Sequence, residues 1–145
     1  SHDAADPIGI NVFAGKDKAT VVTDTGVISD SILRRMDDTT LLVLEANYDP
    51  HMLRFGPYQP FLKQRVASDE GHLSNEMAAQ ALLMMNRPDF MQVILAHRSE
   101  NNNNAVLVTQ TIGKMLVDGG VRIGPEMKLQ HGQPNEIVSM KSVKR

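Results

Sequence analysis

At 145 residues, with 41% hydrophobic and 22% charged side chains, the chain has the size and composition of one globular domain with a real core. A formal net charge of −2 supplies no overall attraction to nucleic acid or membrane, so a polyanion has to be met by a local patch. The lack of cysteine excludes disulfides, thiolate zinc sites and thiol nucleophiles together, leaving the 5 histidines and the carboxylates as metal ligands.

Ser1 to Pro7 places His2 and two acids at the start of the chain, where order is usually poor. Ile8 to Ala14 then carries apolar residues at even positions, the period of a half-buried strand. Gly15 to Lys18 reads as a hairpin turn, so the next strand returns antiparallel. That strand is the β-branched run Thr20-Val21-Val22-Thr23, which ends abruptly in Asp24-Thr25-Gly26. A carboxylate at the end of a buried strand has lost water and needs a partner, either a helix N-terminus or a metal ion. Read alone, Asp24 serves equally well as a turn or cap residue. The hairpin brings His2 to the same end of the sheet, and the two together make a metal pair worth weighing against a disordered terminal histidine.

Ser29 has the chemistry of an N-cap, with Asp30 in the first turn of a short helix and Arg34-Arg35 in its last. Leu41 to Glu45 shows no alternation and reads as a strand covered on both faces. Asp49-Pro50 opens a helix through Arg54, and Phe61 to Val66 is a second short helix bearing Lys63 and Arg65. After the Gly71-His72-Leu73-Ser74-Asn75 loop, Glu76 to Met85 has helical spacing; its methionine stripe is packing, not a cofactor site. Met91 to Ala96 is a third buried strand and leads into His97. Asn101 to Asn104 reads as a polar loop, short enough to be a linker, and a helix follows from Ala105 to Leu116. Val121 onward reads as short strands and a basic tail with Lys141, Lys144 and Arg145. No apolar run reaches the length of a membrane span, and the N-terminus lacks a signal-peptide pattern, so a cytoplasmic protein is expected.

Strands therefore alternate with helices, and strand ends carry Asp24, the Glu45 to Asp49 group and His97. In open α/β sheets ligands gather beyond such ends. Imidazoles and a carboxylate without thiols suit zinc, manganese or iron.

Several segments carry a resemblance: Ser1-His2-Asp3-Ala4 with Pro7-Ile8-Gly9, Thr23-Asp24-Thr25-Gly26, Glu45-Ala46-Asn47-Tyr48-Asp49, Gly71-His72-Leu73-Ser74-Asn75 and Leu95-Ala96-His97-Arg98-Ser99. In this order they resemble the metallo-β-lactamase-fold hydrolases, most of all the WalJ/YycJ group of DNA exonucleases. The resemblance covers only the C-terminal part of that domain; the His-x-His-x-Asp-His motif of the N-terminal half is absent. It implies an α/β fold of αβ/βα sandwich type, of which residues 1–145 supply mainly the C-terminal αβ half. It also implies a metal-dependent phosphodiesterase or exonuclease with two divalent ions, zinc or manganese. Its partners would be the N-terminal half and a nucleic acid, or a second copy of the chain, and not a membrane.

By the same resemblance His2 is a lone histidine ligand, Asp24 the carboxylate that bridges the two metals, and His97 the final histidine ligand. His72 contacts substrate phosphate or protonates the leaving group, unless it is a hydrogen-bonded loop histidine. Lys63, Arg65, Arg98 and the basic tail would contact the nucleic-acid backbone without reading sequence. Tyr48 stands where the family usually has histidine, and Arg98 where it usually has leucine. With the N-terminal ligands missing, the chain alone is expected to be inactive. The competing expectation from another class is a non-catalytic half-domain that serves binding or assembly.

Overall fold

The computed structural model describes residues 8–133 and 136–139. His2, Lys141, Lys144 and Arg145, on which expectations were placed, lie outside the described residues. A five-stranded sheet, ordered β1-β2-β3-β4-β5, is built from β1 (Ile10–Ala14), β2 (Asp17–Val22), β3 (Leu41–Glu45), β4 (Met91–Ala96) and β5 (Met127–His131). The hairpin β1–β2 is antiparallel and every other pairing is parallel, so helices make the crossovers. These helices are α1 (Asp30–Met36), α2 (Pro50–Phe55), α3 (Pro60–Val66), α4 (Asn75–Met84) and α5 (Ala105–Asp118).

Local sequence explains where the helices start. Ser29, Asp49, Ser74 and Asn104 each accept a hydrogen bond from a backbone N–H in the first turn, those of Ile32, Met52, Met77 and Leu107. Each cap satisfies one donor that the helix itself leaves unpaired. Pro50 and Pro60 open α2 and α3, where a missing N–H costs nothing.

The core lies on one side of the sheet. Val22, Leu42, Leu44, Val93 and Leu95 pack there against Met36 of α1, Ala78 and Leu82 of α4, and Val108, Ile112 and Leu116 of α5. Burial of each large aliphatic side chain contributes about 1.5–3 kcal/mol. A smaller cluster of Tyr48, Leu53 and Val66, with Tyr58 and Leu62 against it, ties α2 and α3 to the end of β3. The stripe on α4 is packing, as its residue types imply.

Three expectations need correction. The strand β3 is not covered on both faces: Leu42 and Leu44 are fully buried, while Leu41 and Val43 are only half-buried. The reason is that α1, α4 and α5 all pack on the Leu42 face. The strand β1 is not half-buried either, since Ile10 is 50%, Val12 58% and Phe13 70% exposed. It is an edge strand, and Ile10 and Val12 pair with Val21 and Ala19 on the side that the helices leave open. Finally, Asn101 to Asn104 is a loop as expected, but not a solvated linker. Asn102 and Asn103 are buried, and Asn103 exchanges hydrogen bonds with Asn75 while donating to the Ala46 carbonyl. Paired amides of this kind can be buried because every donor has an acceptor. Among the described residues the C-terminal segment forms one strand, β5.

No described helix is long and apolar enough to cross a membrane.

Candidate metal centre

Parallel pairing fixes which strand ends meet. Val22 is level with Leu44, Leu44 with Leu95, and Glu45 with Ala96. The residues just beyond, Asp24 and His97, therefore emerge at one edge of the sheet with Glu45 between them. Both break from the strand through a left-handed backbone, φ 58° at Asp24 and 52° at His97. Aspartate and histidine enter that region more readily than most residues, at a cost on the order of 1–3 kcal/mol that the surroundings must offset.

Glycines set how closely the neighbouring loops approach. A Cβ on Gly26 would stand 2.0 Å from the Ser68 carbonyl oxygen, and one on Gly71 2.2 Å from that of Val66. The second of these packs the loop so that His72 comes down onto the end of β3.

Glu45, fully buried, lies beneath the edge. Its Oε1 is 2.7 Å from Nδ1 of both His72 and His97, and its Oε2 accepts the Thr25 backbone N–H at 3.1 Å. Burial alone would push the Glu45 carboxyl up, but the bonds from His72 and His97, the His72 charge and the Thr25 amide hold it below its ordinary value. The same bond from Glu45 raises the His97 pKa against the opposing effect of burial, with help from the Glu45 and Asp24 charges. A carboxylate facing both Nδ1 atoms holds the proton there and leaves Nε2 of each ring as the lone-pair donor. His97 Nε2 lies 3.5 Å from Asp24 Oδ1.

Ligand atoms of Asp24, His72 and His97 all lie within 4.8 Å of one another. Asp24 and His97 offer a nitrogen–oxygen donor set suited to zinc or manganese, His72 stands within reach of the same ion or its ligand, and Glu45 is the outer partner that orients both rings. The residues present thus fit one divalent ion; among the described residues they do not supply the further ligands that a second ion would need.

These residues line a cavity of about 390 Å³ together with Asn47, Tyr58, Val66, Arg98, Ser99, Glu100 and Asn101. Of the basic residues singled out from sequence, Arg98 is on this wall. Lys63 and Arg65 are not: both sit on α3 and Lys63 donates to the Arg54 carbonyl oxygen. Tyr48 is buried and joins the His72 loop through a bridge to Ser74. Sequence reasoning placed Asp24, His72 and His97 but left Glu45 as one polar strand end among several. The signal for it was there: an acid closing an apolar strand that pairs with the strand leading to His97.

The mixed α/β architecture, with five strands and five helices among the described residues, is consistent with a partial metallo-β-lactamase fold. The sequence is similar to exodeoxyribonucleases named YycJ and WalJ. It is 33% identical to exodeoxyribonuclease YycJ of Bacillus anthracis over 134 residues, 92% of its length. It is likewise 33% identical to exodeoxyribonuclease WalJ of Streptococcus pneumoniae, strain D39, over 135 residues, 93% of its length. The chain spans about half the length of these relatives, 51% and 50% respectively. No protein-family profile matches it.

Proposed function

We propose that residues 1–145 are the C-terminal portion of a single metallo-β-lactamase-fold domain whose whole is a cytoplasmic, metal-dependent exonuclease acting on DNA ends. The observation that carries this reading is the convergence of Asp24, His72 and His97 over the buried Glu45. The chain's similarity to two exodeoxyribonucleases points the same way.

In this reading Asp24 and His97, joined by His2, are this chain's share of the ligands for two divalent ions, zinc or manganese. Such ions, when bound, polarise phosphoryl oxygens and activate water for attack. Asp24 would be the carboxylate shared between the two ions. His72, with Nδ1 committed to Glu45, presents Nε2 to the substrate, where it contacts a phosphate oxygen or returns a proton to the leaving oxygen. Arg98 forms no ion pair with another described residue, so its charge is available to a phosphate in the cavity. Lys63 and Arg65, further out on α3, serve the backbone of a longer strand.

The test is a nuclease assay on DNA ends with manganese or zinc, using the chain with and without the N-terminal half added in trans. Cleavage is expected only with both halves present. Robust cleavage by residues 1–145 alone would overturn the reading. The second reading, a binding or assembly module, is favoured by the open side of the sheet, where Ile10 and Val12 are exposed. Native mass spectrometry separates the two: a complementary N-terminal polypeptide supports the enzyme, and a self-paired chain supports the module.

A further inference from the structure

Both imidazoles are fixed at their Nδ1 atoms by Glu45, but a ring is aimed only if its backbone is fixed as well. The backbone at His97 is left-handed, φ 52°, a conformation whose cost the surroundings have to offset. One residue spans the gap. Asn47, two positions after Glu45 and 7% exposed, donates from Nδ2 to the His97 carbonyl oxygen at 2.8 Å. Its backbone N–H donates to the Leu73 carbonyl oxygen at 2.9 Å, directly after His72. Its carbonyl accepts the Ser99 N–H at 2.9 Å, two residues after His97. Asn47 also lines the cavity that holds the cluster.

From this geometry we infer that Asn47 is a positioning residue for the metal centre: its side-chain amide holds the left-handed turn at His97 and so sets the direction of His97 Nε2. The inference rests on the metal-binding reading of the site. The chemistry required at position 47 is specific. The group facing the His97 carbonyl has to be a donor on a short side chain, because the backbone on both sides is tied to the two histidine loops. Aspartate has the right shape but would set an oxygen against an oxygen; alanine leaves the carbonyl without its partner. Two further residues of β3 and its extension thus divide the work, Glu45 at the ring nitrogens and Asn47 at the main chain. Nothing in this arrangement needs the N-terminal half.

The experiment uses the complete polypeptide and compares Asn47→Ala, Asn47→Asp and a control, Asn103→Ala. Asn103 is also a buried amide in this region, but it bonds Asn75 and the Ala46 carbonyl and does not line the cavity. Manganese and zinc affinities are measured by calorimetry, the ligand field by the visible spectrum of the cobalt form, and folding by thermal melting without metal. Asn47→Ala and Asn47→Asp are expected to weaken metal binding about 10- to 100-fold, the usual effect of losing an outer partner, and to shift the cobalt bands. Asn103→Ala is expected to lower the melting temperature and leave affinity and spectrum unchanged. Unaltered affinity and cobalt bands in both Asn47 variants overturn the inference, as does an equal loss in Asn103→Ala. Failure of both Asn47 variants to fold also overturns it, in favour of a purely structural role. A wild-type protein that takes up no ion at all sinks the metal-site reading itself.

Discussion

His97 and Glu45 lie 52 positions apart in the chain, yet His97 Nδ1 sits 2.7 Å from Glu45 Oε1. Glu45 is fully buried while His97 is 41% exposed, so the pair runs from the interior to the cavity surface. Glu45→Gln keeps the shape but has one acceptor oxygen where the carboxylate has two, so its NH2 faces a donor either way: the Thr25 N–H or the two imidazoles. We expect it to weaken metal binding about 10- to 100-fold. Calorimetric titration checks this, and an unchanged affinity would reduce Glu45 to a packing residue.

Asp24→Ala is expected to abolish DNA hydrolysis in the complete enzyme with little loss of fold. The Asp24 side chain is 44% exposed, and the main structural cost is placing alanine at φ 58°, about 1–2 kcal/mol. Near-normal nuclease rates under excess metal would show that Asp24 is only a turn residue.

How much of this was legible from sequence follows from how local each feature is. Caps at Ser29 and Asp49 were readable because a cap depends on neighbours three positions away. Asp24 and His97 stood out because each ends an apolar run. The pairing of Glu45 with two histidines was not readable, since it depends on the β3–β4 register and on how the Gly71 loop packs. The asparagine run is the loop its polar composition implies, but its burial was not readable, since only tertiary partners turn Asn103 into a buried residue. The missing alternation in β3 implied two covered faces, but apolar residues on the open side still spend part of their surface in water.

Gly71→Ala should damage the site from below. The added methyl would meet the Val66 and Arg65 carbonyl oxygens at 2.2 and 2.3 Å, both main-chain atoms that cannot rotate away. A loss of at least about 1–3 kcal/mol is expected, the usual cost of overpacking. Chemical denaturation measures it, and a variant as stable as the parent would show that the loop has room to shift.

Stability should also carry a pH signature away from the metal ligands. Burial, then the Arg98 charge, lowers the His131 pKa from its ordinary 6.5, and its Nε2 lies 2.9 Å from Thr109 Oγ1. Between the lowered value and 6.5 the unfolded chain binds more protons at this position than the folded one. Its contribution is therefore fully present above about pH 6.5 and is lost as pH falls through the folded value. Melting curves for the parent and His131→Gln should converge as pH drops below 6.5. A constant difference between them would contradict the assignment.

The cluster has a temporal consequence. Asp24, His72 and His97 follow β2, α3 and β4, and the three meet only when β2, β3 and β4 are in parallel register. Parallel pairing across helical crossovers closes long loops, which makes it a late and slow event. Until the chain has been made through His97, it therefore has helices to form but not the whole cluster. In a stopped-flow refolding experiment, uptake of metal should lag the far-ultraviolet signal and mark the moment at which the sheet locks.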